Sequence, residues 1–247
     1  LADGTRLSFA DLDAQVGRCA RWMAATLPPG ARVALLARNS IRTVVLPYAC
    51  ARAGMVFVPL NWRLGPPELR PLLADSAPSL LIHDPEFETC ADAALAGMVD
   101  VLRRSSTMQD WDVAPTGAPT ALRPDAPWVL LYTSGTTGRP KGVIVTRRSA
   151  FFAAWNFIQV GGYHARSKAL ADAPLFHTVG LFAITHAALT AGAGVLIAER
   201  FVPGETLRRL SDPALGVTHY FCVPQMALAL RADPAYPAAD LSRLTGF

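Results

Sequence analysis

Apolar residues at the start of the chain recur at the spacing of one helical face, which predicts a first helix. Ser8 can cap this helix, and Asp11 stands three residues later as the matching acid of a capping box. The run Pro28-Pro29-Gly30 then ends it. The apolar positions of this helix are Phe9, Leu12, Val16, Met23 and Leu27.

Short apolar runs alternate with further amphipathic segments along the rest of the chain. Helices are predicted at about residues 39–53, 66–76 and 86–96, and again between the later strands. Strands are predicted at residues 32–37, 55–60, 79–83, 98–102, 128–132, 141–146, 168–173, 194–199 and 217–223. This alternation with short connections predicts an α/β fold in which mostly parallel sheets are flanked by helices. Residues 105–127, rich in Ser, Thr, Pro, Gly and Asp, are expected to form a surface connection.

Composition and charge exclude several classes of protein. With 247 residues, half of them apolar, the chain can bury a large core. The net charge of +4 comes without a long basic run, so no nucleic-acid partner is predicted. The four cysteines form no C-x-x-C pair and the histidines lack zinc-ligand spacing, which favours free thiols, a cytoplasmic location and no metal site of that kind. No apolar run reaches the roughly 20 residues of a transmembrane helix, and the N-terminus is not a signal peptide.

The segment YTSGTTGRPKGV, Tyr132 to Val143, connects two predicted strands and is rich in small polar residues. Such clusters are often ordinary turns. Here, however, glycines let backbone N–H groups converge on a ligand, hydroxyl groups add donors, and Lys141 adds a compact positive charge, so the segment can cradle a polyphosphate. It is not a Walker A loop, because Pro140 occupies the second glycine position and Gly142 follows the lysine.

The full string resembles the phosphate-binding signature of adenylate-forming enzymes, which include acyl-CoA synthetases, peptide-synthetase adenylation domains and luciferases. Other segments resemble the same superfamily in the same order along nearly the whole chain. These are GTRLSFADLDAQVGRCA, RVALLARNS, AGMVFVPLNWRL, PLFHTVGL and THYFCVPQM. The Asn-Trp-Arg-Leu form at residues 61–64 is similar to fatty-acyl-type acyl-CoA synthetases.

The resemblance implies a two-step reaction. A carboxylic acid, here expected to be a fatty acid, attacks the α-phosphate of ATP to give an acyl-adenylate and pyrophosphate, and the thiol of coenzyme A then takes the acyl group. Lys141 would stabilise the leaving pyrophosphate, and His177 would lie near the acyl-adenylate. The residues implied to bind the β- and γ-phosphates are Thr133, Ser134, Gly135, Thr136, Thr137, Gly138 and Lys141.

Each of these assignments has a structural alternative. Lys141 could be a solvated surface charge. However, only two of the 23 basic residues are lysines, and a confined loop accommodates the compact lysine ammonium better than the planar arginine guanidinium. His177 could be a core histidine beside Phe176. His186 and His219 have no motif behind them and are interpreted as structural. The aromatic residues on the helix after the loop could border an acyl pocket, but their helical spacing favours the core; they are Phe151, Phe152 and Trp155.

The superfamily's adenine-binding segment, its Thr-Glu pair for Mg²⁺ and its small C-terminal domain have no counterpart in this sequence. We therefore expect residues 1–247 to be a partial N-terminal AMP-binding domain that has little ligase activity alone and exposes apolar surface that would permit self-association. A division into lobes of about 61–199 and 1–60 plus 200–247 is expected. The alternatives are an adenylation domain that loads a carrier protein and a non-catalytic binding fragment that keeps the fold.

Overall fold

The computed structural model describes Gly4 and residues 6–106, 123–133 and 140–246, and it divides into two compact units. One unit comprises Arg6–Arg148, and the other contains the chain from Ser149 onward. The sequence predicts a lobe boundary near residue 60. The structure instead keeps the strands on both sides of that position in one sheet, because β1 and β2 pair with strands that come later in the chain.

The first unit is built on a six-stranded sheet with the order β4-β3-β1-β2-β5-β6. Its neighbouring strands are parallel except for β6, which runs antiparallel to β5. The strands are β1 (Arg32–Leu36), β2 (Val56–Pro59), β3 (Leu80–His83), β4 (Leu102–Ser105), β5 (Pro127–Thr133) and β6 (Lys141–Thr146). The helices are α1 (Phe9–Thr26), α2 (Ile41–Ala53), α3 (Pro66–Ser76) and α4 (Glu88–Leu95), the last preceded by a 3-10 turn at Pro85–Phe87.

Alternate strand residues pack against helices, as the period of a strand requires. Ala34, Leu36, Val58, Leu60 and Leu81 form one apolar cluster with the buried leucines of α3 and the buried alanines of α4. The intervening residues of β1, β2 and β3 are buried as well, namely Val33, Leu35, Phe57, Leu80 and Ile82, and α2 contacts β2 and β5. Helices therefore cover the central strands, whereas β6 is largely exposed. This arrangement confirms the predicted α/β fold class.

Local signals in the sequence explain where the first two helices begin and end. The Ser8 hydroxyl accepts the Asp11 backbone N–H at 3.1 Å, and the Asp11 carboxylate accepts the Ser8 backbone N–H at 2.9 Å, so the predicted capping box is present. Helix α2 continues through Pro47 and ends at Gly54, whose φ of 72° lies in the left-handed region that glycine tolerates. The Pro47 carbonyl accepts a hydrogen bond from the Trp128 indole at 2.6 Å, which ties α2 to β5.

One predicted strand is misplaced. The apolar run at residues 98–102 suggested a strand, but β4 covers only Leu102–Ser105. Gly97 and Asp100 both have positive φ values, 78° and 66°, so the chain turns there and cannot extend until residue 102. Most of the expected surface connection at residues 105–127 lies outside the described residues.

The second unit carries a three-stranded parallel sheet with the order β8-β7-β9. Its strands are β7 (Lys168–Ala171), β8 (Gly194–Ile197) and β9 (His219–Tyr220). Its helices are α5, which spans Arg147–Gly161 and so begins in the first unit, α6 (Ala187–Thr190), α7 (Pro203–Ser211) and α8 (Pro224–Ala232), and a π-helix occupies Val179–His186. One apolar cluster joins the strands to α6, α7 and α8. The strand predicted at residues 217–223 is thus reduced to two residues.

Two smaller findings complete the picture. All four cysteines are free thiols, as predicted, and Cys19 and Cys50 are buried. None of the helices within the described ranges is long and apolar enough to cross a membrane.

Candidate functional site

The predicted phosphate loop connects the two strands of an antiparallel hairpin. Strands β5 and β6 pair from Pro127 opposite Thr146 to Thr133 opposite Lys141. Residues 134–139 lie between them and outside the described residues. The phosphate contacts predicted for Ser134, Gly135, Thr136, Thr137 and Gly138 therefore stay predictions.

Thr133 and Lys141 face each other at the mouth of this loop. Both residues are exposed, and they are cross-strand partners, so a hydroxyl and an ammonium group flank the segment from its two ends. Because β5 is parallel to β2, Thr133 lies at the carboxyl end of the parallel strands, where ligands bind in open α/β sheets. The arrangement can present a cation and a hydroxyl group to a phosphate chain. The roles of both residues in binding stay predictions.

The hairpin is anchored by Tyr132 and Gly142, which are cross-strand partners one step from the loop. A Cβ on Gly142 would lie 2.9 Å from the Leu130 Cδ1 and 3.5 Å from the Tyr132 ring, so a larger residue here would require the Leu130 side chain to shift. The Tyr132 hydroxyl donates to Asp75 of α3 at 2.6 Å. Burial, and then this hydrogen bond, raise the pKa of Tyr132 above its usual range. Sequence reasoning missed Asp75, because nothing local connects a residue on α3 to the loop.

His177 belongs to the second unit, in the segment that follows β7. Its backbone N–H donates to the Pro174 carbonyl at 3.1 Å, and its own carbonyl accepts the Leu181 N–H at 3.0 Å. Its ring is exposed and lies against the buried Phe176, with 4.5 Å between ring centroids. His177 is therefore not a core histidine. Since β7 lies in a parallel sheet, the segment is at the carboxyl end of that sheet, where a role at a ligand site is expected.

The His177 segment, Ala173 to Gly180, has no room for a Cβ atom at Gly180. A Cβ at this position would lie 2.4 Å from the Pro174 carbonyl oxygen, 2.7 Å from its carbon and 2.8 Å from the Ala173 oxygen. These are backbone atoms, which cannot swing aside as the end of a side chain can. The chain thus folds tightly back on itself between Ala173 and Gly180, which fixes the position of His177.

The interpretation of the other two histidines, His186 and His219, as structural stays a prediction. His219 is buried, with Nε2 2.9 Å from the Gly161 carbonyl and Nδ1 2.8 Å from the Thr218 hydroxyl, and its ring stacks on Tyr163 at 4.3 Å. Burial lowers the pKa of His219, and it lowers the pKa of His186 to about 4.

The aromatic residues of α5 do not occupy the core, which corrects the preferred interpretation of their spacing. Phe151, Phe152 and Trp155 are 49%, 56% and 50% exposed. The core side of this helix is lined by small and aliphatic side chains instead, namely Ala150, Ala154 and Ile158. Helical periodicity alone could not show which side of α5 faces the core, because both sides carry apolar residues.

No metal centre is built by the part of the chain that the structure describes. Within it, no group of three or more His, Cys, Asp or Glu side chains is arranged to hold an ion. Thr133 and Lys141 supply a hydroxyl group and a cation, which suit a phosphate rather than a metal. A magnesium ion at this loop would therefore rely on phosphate oxygens and on ligands beyond these two residues.

The complete chain, residues 1–247, matches the family model described as AMP-binding enzyme. The chain belongs to this family. The match confirms the resemblance to adenylate-forming enzymes that the sequence motifs indicated.

Acyl-CoA ligases are among the curated relatives of this AMP-binding chain. It is 39% identical over 243 residues to a feruloyl-CoA synthase from Amycolatopsis sp, an alignment that covers 98% of this chain and 48% of the relative. It is 34% identical over 255 residues to an indoleacetate–CoA ligase from Aromatoleum aromaticum, covering 96% and 49%. The chain therefore spans about half the length of these relatives.

Solved structures of the same family share the fold. ATP-bound MatB from Rhodopseudomonas palustris superposes with a TM-score of 0.84 at 27% identity, covering 94% of this chain and 47% of that one. The fatty acyl CoA synthetase of Mycobacterium tuberculosis gives a TM-score of 0.86 at 26% identity, covering 98% and 49%.

Proposed function

We propose that this chain supplies the phosphate-binding part of an acid–thiol ligase that activates a carboxylic acid with ATP and transfers the acyl group to coenzyme A. The observation that carries the proposal is the β5–β6 hairpin, where Thr133 and Lys141 flank the glycine-rich loop at the carboxyl edge of the sheet. Membership of the AMP-binding family over the whole chain supports it.

In the first step, a carboxylate oxygen of the acid forms a bond to the α-phosphorus of ATP. The bond from that phosphorus to the bridging oxygen breaks, and pyrophosphate leaves with the negative charge. Thr133 to Gly138 would hold the β- and γ-phosphates, and Lys141 would stabilise the charge that develops on the leaving group. A bound Mg²⁺ would neutralise further phosphate charge.

In the second step, the thiol of coenzyme A loses its proton to solvent, and its sulfur forms a bond to the acyl carbon. The bond from that carbon to the phosphate oxygen breaks, and AMP leaves with the electron pair. We assign to His177 a role in binding the acyl-adenylate. Its exposed ring at the carboxyl end of β7 supports this assignment, because a buried histidine could not reach a substrate.

For the acid, we propose an aromatic carboxylate as the first candidate. The two relatives above act, by their names, on ferulate and indoleacetate. A fatty acid, which the Asn-Trp-Arg-Leu motif favoured, is the second candidate, and similarity to a fatty acyl CoA synthetase supports it. The exposed aromatic residues of α5 offer an apolar surface to either class of acid.

The loop is tested first by pyrophosphate binding to the 247-residue chain, measured by calorimetry at low salt. Lys141→Ala should weaken binding about 5- to 30-fold, since a hydrogen bond from a charged group contributes about 1–2 kcal/mol at an exposed site. Arg148→Ala is the matched control, because it removes one exposed positive charge beyond the other end of β6. Equal affinity of the Lys141→Ala variant and the parent chain would remove Lys141 from the proposed site.

The reaction is tested by acid-dependent ATP–pyrophosphate exchange with a panel of aromatic and fatty acids. It is measured on this chain, which we expect to be nearly inactive alone, and on the complete open reading frame that contains it. Exchange without formation of a coenzyme A thioester would point to a carrier-protein thiol as the acceptor. Pyrophosphate binding with no exchange for any acid would favour a non-catalytic binding protein.

A further inference from the structure

Asp172 is a fully buried carboxyl group that none of the motifs singled out. It directly follows β7 and precedes His177 by five residues. Its immediate neighbours in the chain, Ala171 and Ala173, belong to the apolar cluster of the second unit. An isolated carboxylate in such surroundings is costly, because burial removes its hydration.

The Asp172 carboxyl group connects three elements. Oδ2 accepts a hydrogen bond from the Thr206 hydroxyl of α7 at 2.6 Å and from the Tyr220 hydroxyl of β9 at 3.4 Å. Oδ1 is buried and has no hydrogen-bond partner among the described residues. Both side-chain hydrogen bonds of this carboxyl group therefore end on Oδ2.

The position of Asp172 in the sheet is one where functional groups gather. Strand β7 lies between β8 and β9, so the chain leaves β7 toward one neighbour and later returns to the other. The carboxyl ends of β7 and β9 therefore form the switch point of this parallel sheet, the place where open α/β sheets bind ligands. Asp172 and Tyr220 join the two strands there.

The charged and titratable groups around Asp172 decide its ionisation. Burial raises the pKa of Asp172 to about 6. The hydrogen bonds from Thr206 and Tyr220, a hydrogen bond from the backbone of Asp172 itself and the charge of Arg209 oppose this rise. On the β9 side, the Asp172 charge in turn raises the pKa of Tyr220 and of Cys222 beyond what their burial does. Asp172 can thus change its charge near neutral pH.

The segment after Asp172 is short and tightly folded. The His177 N–H donates to the Pro174 carbonyl at 3.1 Å. A Cβ at Gly180 would lie 2.4 Å from the Pro174 oxygen and 2.8 Å from the Ala173 oxygen, so the chain at residue 180 comes close to the backbone that directly follows Asp172. These contacts connect the backbone next to Asp172 with the turn that carries His177.

We propose that Asp172 is a positioning residue that aligns the His177 segment with β9 and α7 through its bonds to Tyr220 and Thr206. The value of this alignment for catalysis rests on the proposed function; the alignment itself does not. A neutral apolar side chain would fill the same space without the cost of a buried charge, so packing alone does not account for an aspartate here.

The proposal is tested by NMR on the 247-residue chain, in a His177→Gln background so that this histidine does not titrate. The backbone amide signals of Ala173 and Phe176 are followed from pH 4.5 to 8. We expect both to shift with one midpoint near pH 6. Asp172→Asn should abolish that midpoint, and Thr206→Val should raise it, because the lost hydrogen bond favours the charged form. Asp212→Asn is the matched control. It changes the residue directly after α7 and keeps a side-chain oxygen that accepts the Ala214 N–H, so the pH midpoint should stay unchanged.

Two results would overturn the proposal: amide shifts in Asp172→Asn that match those of the parent, or a midpoint that Thr206→Val does not move. If Asp172→Asn does not fold, Thr206→Val still decides. A merely structural role would lower the urea midpoint of the variants without moving the pH midpoint. These readouts need no ATP or acid, so absence of exchange would overturn the proposed function and leave this inference standing.

Discussion

Replacement of Gly180 by alanine tests whether the tight fold of the His177 segment is real. Gly180 lies in the π-helix and has a negative φ, so alanine would meet no backbone strain there. By helical propensity alone, the substitution should stabilise the protein by up to about 1 kcal/mol. The structure predicts the opposite sign, because the added Cβ would overlap backbone atoms.

The size of the effect follows from three distances. A Cβ at residue 180 would lie 2.4, 2.7 and 2.8 Å from backbone atoms of Pro174 and Ala173, closer than side-chain carbons approach any atom. Relief requires a backbone shift of several tenths of an ångström in a packed region. Overpacking of this kind costs about 1–3 kcal/mol. We expect a net destabilisation of about 2 kcal/mol and a displaced His177 segment.

Urea unfolding is monitored by circular dichroism. The backbone amide NMR signals of Ala173 and Phe176 serve as a local probe. Gly194→Ala is the matched control, since its Cβ would meet its closest neighbour, the Lys168 Cγ, at an ordinary 3.5 Å. The free energy of unfolding of the control should stay within about 0.5 kcal/mol of that of the parent chain. A Gly180→Ala variant as stable as the control, with unmoved amide signals, would refute the packing described for this segment.

Three further predictions concern stability. Burial lowers the pKa of the partly buried His186 and of the buried His219, so the unfolded chain binds more protons; thermal stability should fall as pH drops below about 6.5, and His186→Leu should reduce that slope in calorimetry. Asp172 has a raised pKa, so its contribution is lost as pH rises through 6; Asp172→Asn should gain about 1–3 kcal/mol at pH 7.5 and nothing near pH 4, and a gain that is the same at both values would contradict this sign. Tyr132→Phe removes the hydroxyl that donates to Asp75 and should cost about 1 kcal/mol in urea unfolding, whereas no loss would show that this bond does not anchor the hairpin.

Local signals in the sequence predicted several elements well. The capping box at Ser8 and Asp11, the stop at Gly54 and the extent of α3 at Pro66–Ser76 all depend on residues close in the chain, and all are confirmed. The strand expected at residues 98–102 was wrong, because apolar periodicity carries no information on backbone φ and Asp100 has a positive φ. The expected lobe boundary near residue 60 was misplaced because pairing between β1, β2 and later strands is not local.

The α/β class, the position of the predicted phosphate loop between β5 and β6, and the family could all be predicted from the sequence, because each depends on short motifs and on the order of elements along the chain. The residues that support these features became visible in the folded chain alone. The bond from Tyr132 to Asp75 spans 57 positions, and that from Asp172 to Thr206 spans 34. The space around Gly180 is likewise set by a fold-back of the chain. These hydrogen bonds join residues far apart in the chain, and this packing depends on the folded backbone, so patterns of neighbouring residues cannot predict them.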